Sequence, residues 1–536
     1  MKLGPRLILC LLVALPLSSC VSHQKQSSVS RRSFAFGNKQ GDLYRSLAEV
    51  RDASRLDLAL ASNQAEYNEA VEMAVGAWME ACDHKPQRGS RIISKDGHVV
   101  NIHANWPQNL EFDELISARE VKSRALKRRI AKSGVGAPFV AWWKYSDTRA
   151  EQEPFMAAGG YLSPVTATIS VSVTKGNGLH AVLTLHDPRT VESVLINGKS
   201  TPLAEDISAV GEFLLSRKEI RMSGLGALLS SENHLDKMGL IALERPNPDR
   251  VPVVFVHGLM SKPATWQNVV NELWSDPKLQ SSSQFFFFRY PTGVPVIYSA
   301  AKLRQKLSLL HDTMKKQGAG WNADHMALVG HSMGGLVSKS QVQDSGDRLW
   351  VNVFGSTPDR LNMSAEQREA LRAYLEYKPN PYISRVIFVA TPHRGSALAE
   401  GRLGAFGSKL VGLPGSIMGD ALNIVQGRAP EHGPLRELMA KGVPTSIDNL
   451  SPKSQFVKTS ISLPLRPGLH VHSIIGNKKQ KPLNDPSCSD GFVPYTSAHL
   501  DNVESELIVP FGHSAHEHPQ AVDEIRRILH EHVSNF

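Results

Sequence analysis

Six short, nearly unbroken apolar runs in the second half of the chain, at 251–256, 285–289, 326–329, 385–390, 471–475 and 506–509, leave few architectures open. A strand with one wet face alternates apolar and polar residues, whereas a strand covered on both faces does not. Between several runs lie segments with apolar residues at helical spacing, notably 294–316 and 336–343. Continuous apolar strands alternating with helices predict an α/β body, a mostly parallel sheet with helices on both faces. The aromatic run Phe285, Phe286, Phe287 and Phe288 is read as one such buried strand. Sheets of this kind bind ligands beyond the carboxyl ends of their strands, so the loops after the runs are where chemistry is expected.

Ahead of Pro246-Asn247-Pro248 the texture differs. Residues 42–82 show helical spacing broken near Asn63, which predicts two packed helices. Short β-type runs follow at 99–103, 166–173, 181–186 and 194–196, punctuated by Asn-Gly and Asp-Gly pairs, with a helical stretch expected at 111–132. The domain plan is therefore an address at 1–19, a Ser- and Gln-rich tether at 20–41, a helical and β-rich module at 42–245, and the α/β body at 246–536.

The address is a basic start, Lys2 and Arg6, an apolar run at 7–17, then Ser18, Ser19 and Cys20. The run is shorter than the roughly 20 residues that span a bilayer, but suits a secretory signal. Leu17-Ser18-Ser19-Cys20 resembles the lipobox of bacterial lipoproteins. That resemblance implies that Cys20 carries the lipid anchor in the cell envelope, and Val21 in place of Asp implies the outer membrane. A plain signal peptide and an uncleaved anchor remain alternatives. Of four cysteines, Cys10 departs with the signal, leaving Cys82 and Cys488 as one conceivable disulfide. Lys and Arg number 60 against 51 Asp and Glu, without a dense basic stripe, so no nucleic-acid partner is expected.

The most informative loop joins the 326–329 run to the helix that starts at 336: Gly330-His331-Ser332-Met333-Gly334. A nucleophile on a sharp strand-to-helix turn needs glycine two before and two after, because a Cβ there would collide with the turn. The first amide of the following helix, Met333, then faces a developing oxyanion. His257-Gly258-Leu259 follows the 251–256 run, and the Leu259 amide is the second expected oxyanion donor. His257 itself is read as a side chain that orients the loop.

With HGLMSKPATW from 257, LVGHSMGGL from 328 and VIFVATPHRGS from 386, the chain from 251 onward resembles the α/β-hydrolase superfamily, and within it bacterial lipases and esterases. The resemblance implies a triad in the order serine, acid, histidine. The acid is then Asp490 in SDGFVP, with Asp485, Asp501 and Glu504 as rivals. The base is His513, which follows Gly512, with His516 as the alternative. A zinc cluster of His513, His516 and His518 lacks a carboxylate at a standard interval, and His518 is expected at the surface. The implied activity is hydrolysis of an acyl ester or lipid through an acyl-enzyme on Ser332, with no metal or organic cofactor. An acyltransferase, a thioesterase and a non-catalytic envelope lipoprotein are the alternatives. The Gly-rich apolar insertion at 397–450 is read as a lid over an acyl pocket, or else as packing for the sheet edge.

Overall fold

All six apolar runs become strands of one sheet, joined by a seventh at its edge. The computed structural model describes residues 39–93, 97–121, 125–174, 176–216, 238–396 and 446–534. The address, Cys20, the tether before residue 39 and most of the expected lid lie outside the described residues. The strands are β1 (Gly239–Ala242), β2 (Val251–Val256), β3 (Ser283–Arg289), β4 (Met326–His331), β5 (Ile383–Val389), β6 (His470–Gly476) and β7 (Ser505–Val509). Their spatial order is β1-β3-β2-β4-β5-β6-β7, parallel throughout except that β1 runs antiparallel to β3.

Side chains alternate across the sheet, so both faces of the central strands are apolar. Val254, Val256, Phe286 and Phe288 enter one core with Leu303, Leu307 and Leu310 of the Val296–Lys316 helix. Val253, Phe255, Phe285 and Phe287 enter the other with Ile525, Ile528 and Leu529 of the Pro519–Ser534 helix. Full burial of each Leu or Val is worth about 1.5–3 kcal/mol, and these two layers hold the strand ends in register.

The amino-terminal part is a six-stranded sheet in the order Gly89–Ile93, Val99–Asn105, Leu179–His186, Tyr161–Val173, Ala137–Trp143 and Glu114–Ser117. Helices Lys39–Ala53 and Ala61–Ala81 share its core. Their join, at 54–60, falls just ahead of Asn63. Tyr67 fastens the second helix to the sheet: its buried hydroxyl donates to the Ile169 carbonyl at 2.9 Å and accepts from the Ile169 amide at 3.1 Å. The helix expected at 111–132 is absent from the described part of that stretch. Residues 114–117 form an edge strand, and the Arg129 guanidinium donates to the carbonyls of Ala118 at 2.6 Å and Val121 at 3.2 Å. Those carbonyls are satisfied by a side chain rather than by helical amides.

Residue 246 marks no gap between two bodies. Strand β1 already belongs to the second sheet, the Ala242 amide donates to the Phe155 carbonyl at 3.0 Å, and that of Leu162 donates to Leu243 at 2.6 Å. Phe155, Met156 and Tyr161 share a core with Phe286 and Val254. Beside this seam Arg189, 6% exposed, sits between Asp187 at 2.8 Å and Glu244 at 2.6 Å. Cys82 and Cys488 are both free thiols. Among the described residues no helix is long and apolar enough to cross a membrane.

Candidate active site

At the carboxyl end of β4 the backbone turns sharply. Ser332 has φ 54° and ψ −125°, a conformation that L-residues rarely adopt, and the helix Met333–Lys339 starts at the next residue. Such strain persists only where the surroundings impose it. Here they do: the Ser332 amide donates to the Val389 carbonyl at 2.8 Å, and its carbonyl accepts from the Gly335 amide at 2.9 Å. Gly334 packs so closely on β2 that a methyl there would lie 2.4 Å from the carbonyl oxygens of both Val256 and His257.

The turn presents the Ser332 hydroxyl to His513, whose Nε2 lies 2.8 Å from Oγ. On the far side of the ring, Nδ1 is 2.7 Å from Asp490 Oδ2. A carboxylate only accepts, so Nδ1 carries the proton and Nε2 is free to receive that of the serine. Asp490 is 2% exposed, and its Oδ1 accepts from the amides of Phe492 and Val493, both at 2.7 Å. These bonds fix the carboxyl group on one side of the imidazole. Serine, imidazole and carboxylate in this order can move a proton off the hydroxyl as it attacks.

The residues expected to supply the oxyanion amides lie close to Ser332 in the chain or in space. Met333 is the residue after Ser332, at the first turn of the helix. Gly258 approaches from β2: a methyl on it would stand 3.0 Å from Ser332 Cβ, and the Leu259 amide is the next along. His257 is buried within this loop. Its ring stacks on Tyr290 at 4.4 Å, while the Tyr290 hydroxyl donates to the His257 carbonyl at 2.6 Å. Burial pushes the His257 imidazole down to about 4, so it is neutral.

The rivals lie elsewhere. Asp485 caps Ser487 at the surface, Asp501 sits 3.4 Å from His499, and Glu504 pairs with His470 and Arg385. His516 is 1% exposed, within 3.3 Å of Thr265 Oγ1 and packed 4.9 Å from the Trp266 ring. Burial, partly offset by Glu517, pushes it down to about 4. His518 is not free at the surface; it is half-buried, 5.6 Å from the Phe511 ring.

Two contributions escaped the reading of the sequence. The loop after β5 braces the acid loop, with Ser396 donating to the Phe492 carbonyl at 2.5 Å and Arg394 to that of Thr496 at 3.1 Å. The TPHRGS string placed that loop beside the site without saying what it grips. The second is His331, the variable position of the nucleophile motif, whose Nε2 lies 2.8 Å from the His513 carbonyl oxygen.

Residues 247–354 match a family model described as a PGAP1-like alpha/beta domain. No curated protein matches the chain in sequence. Among solved structures it is similar to the lipase BlEst2 of Bacillus licheniformis in mature form, at 18% identity over 53% of this chain and 94% of that one, with a TM-score of 0.31. It is also similar to phospholipase PlaB from Legionella pneumophila, at 18% identity over 46% of this chain and 45% of that one, TM-score 0.27. A third is esterase B from Lactobacillus rhamnosis, at 15% identity over 55% and 79%, TM-score 0.29. The strand order, the sharp strand-to-helix turn after β4 and the matched α/β domain together make the second half of this protein an α/β-hydrolase fold.

Proposed function

We propose that the protein is a serine hydrolase of carboxylic esters, held at a membrane through lipid on Cys20. The reading is carried by one observation: Ser332 Oγ, His513 and Asp490 form an unbroken hydrogen-bonded chain of 2.8 and 2.7 Å. In the reaction Ser332 Oγ forms a bond to the acyl carbon while its proton passes to His513 Nε2. The amides of Leu259 and Met333 stabilise the oxyanion. The carbon–oxygen bond to the leaving alcohol breaks as His513 returns the proton to that alcohol. Water then attacks the acyl-enzyme by the same route, regenerating Ser332 and releasing the acid.

Two apolar side chains support an acyl group as the recognised part. Met260, 44% exposed, follows the oxyanion residue Leu259, and Phe492, 47% exposed, lies 5.1 Å from the His513 ring. Their support comes from their place beside Leu259 and His513, where the acyl chain of a bound ester would meet them.

A fluorophosphonate probe is expected to label the wild-type protein at the peptide containing Ser332, and p-nitrophenyl esters are expected to be cleaved with kcat/KM rising from acetate to longer chains. Folded protein that takes no label would overturn the reading, and a preference for acetate would remove the apolar acyl group from it. For the anchor, Cys20→Ala is expected to move the protein from the membrane fraction to the soluble fraction of cells. Unchanged fractionation would sink the lipidation.

A further inference from the structure

The nucleophile and the base come from loops 181 residues apart, and something must keep them in register. Asp490 orients the His513 ring but is bonded to its side chain, not to the main chain that carries it. The main chain is reached from the other direction. His331, the last residue of β4 and the neighbour of Ser332, places Nε2 2.8 Å from the His513 carbonyl oxygen. A carbonyl oxygen only accepts, so Nε2 of His331 is the donor and its Nδ1 is unprotonated.

Everything around the ring fixes that orientation. His331 is 6% exposed. Its ring meets Trp266 edge-on at 6.3 Å, lies 4.5 Å from His516, and stands 5.1 Å from His513 itself. A methyl on Gly258 would come within 3.0 Å of Nδ1, so the β2 loop closes that side. Burial, with His516 and His513 alongside, holds the imidazole neutral, well below its ordinary 6.5. The ring is thus a short rigid strut with one donor. It ties the residue before the nucleophile to the main chain of the base.

We propose that His331 is a positioning residue that sets the Ser332–His513 distance by gripping the His513 carbonyl. The inference rests on the reading of Ser332 and His513 as nucleophile and base. It predicts an effect on the chemical step and not on substrate binding, because His331 reaches the substrate only through its neighbours. A misplacement of about 1 Å in reacting groups can cost on the order of a hundredfold in rate, and lost supporting bonds about ten- to a hundredfold.

The test compares His331→Leu, which keeps bulk and loses the donor, with His331→Gln, whose side-chain amide can still donate. His331→Leu is expected to lower kcat for p-nitrophenyl butyrate and the rate of fluorophosphonate labelling together, by about ten- to a hundredfold, with KM unchanged. His331→Gln is expected to recover most of that loss at a similar melting temperature. A leucine variant with wild-type kcat, or the two variants impaired equally and in step with lost stability, would overturn the proposal. Should the leucine variant not fold, ¹⁵N-histidine NMR of the wild type decides: the proposal requires the Nε2–H tautomer at His331, and the Nδ1–H tautomer defeats it. Failure of the wild type to label at all strikes the ester-hydrolase reading instead, so the two failures are distinct.

Discussion

Ser332→Ala is expected to lower ester turnover by about a million-fold while leaving the fold intact, since serine-hydrolase nucleophiles removed in this way cost roughly that much. The Ser332 hydroxyl makes its bond to His513 and holds up nothing else in the core, so circular dichroism and melting temperature should not move. What survives is the roughly 10³–10⁴-fold over water supplied by oxyanion amides and substrate binding alone. Asp490→Asn alone is expected to lower kcat by about 10⁴-fold, because an amide in place of the carboxylate favours the wrong tautomer of His513. The double variant should be no slower than Ser332→Ala, because the two residues act as one unit. A Ser332→Ala protein that keeps even a hundredth of wild-type turnover would place the chemistry on another residue.

Acid should unfold this protein well before its carboxylates are all protonated. Burial holds His257, His516 and His532 down to about 4, and holds His472 down to about 3, the last with help from Arg385. In the unfolded chain each would titrate near its ordinary 6.5. Between pH 6.5 and 4 the unfolded state therefore binds protons that the native state refuses, and stability falls as pH falls. Above pH 6.5 the contribution is complete; that of His257, His516 and His532 is gone below 4, and that of His472 below 3. Each histidine withholds roughly 3 kcal/mol over that window. Three or four together match the 5–15 kcal/mol that keeps a typical protein folded. Urea titrations at successive pH values should show the midpoint dropping steeply from pH 6.5 and unfolding without urea near pH 5. A midpoint flat down to pH 4.5 would contradict the burial of these imidazoles.

How much of this was legible from residue order depends on how each element earns its stability. Strands β2 to β6 were legible because burial on both faces writes an unbroken apolar run, and Val251–Val256 is buried at every position, whereas the partly buried edge strand β7 showed itself through Leu507, Ile508 and Val509. Strand β1 was not, since four residues, Gly239–Ala242, are too few to show a period and owe their conformation to pairing with Phe286–Arg289 of β3. The charged 111–132 stretch is rich in Glu, Lys, Arg and Ala, and at Ala118 and Val121 that propensity lost to bonds from Arg129. Ser332 and Asp490 stood out through their glycines, two before and two after the serine and directly after the aspartate. Choosing His513 over His516 needed the preceding Gly512 and a family pattern, whereas the structure separates them by partners: one faces Ser332 and Asp490, the other Thr265 and Trp266. His331 carried no signal at all, because its motif accepts any residue at that position.

The spatial order of the second sheet also has a bearing on when this chain becomes reactive. The serine sits on the central strand, made early, but its acid and base arrive with β6 and β7, which complete the opposite edge. A growing chain that has already formed β1 to β4 holds an ordinary, unactivated hydroxyl. On the proposed mechanism, hydrolytic competence appears only when the last edge has docked, and partly made or clipped chains are expected to be silent toward esters around them.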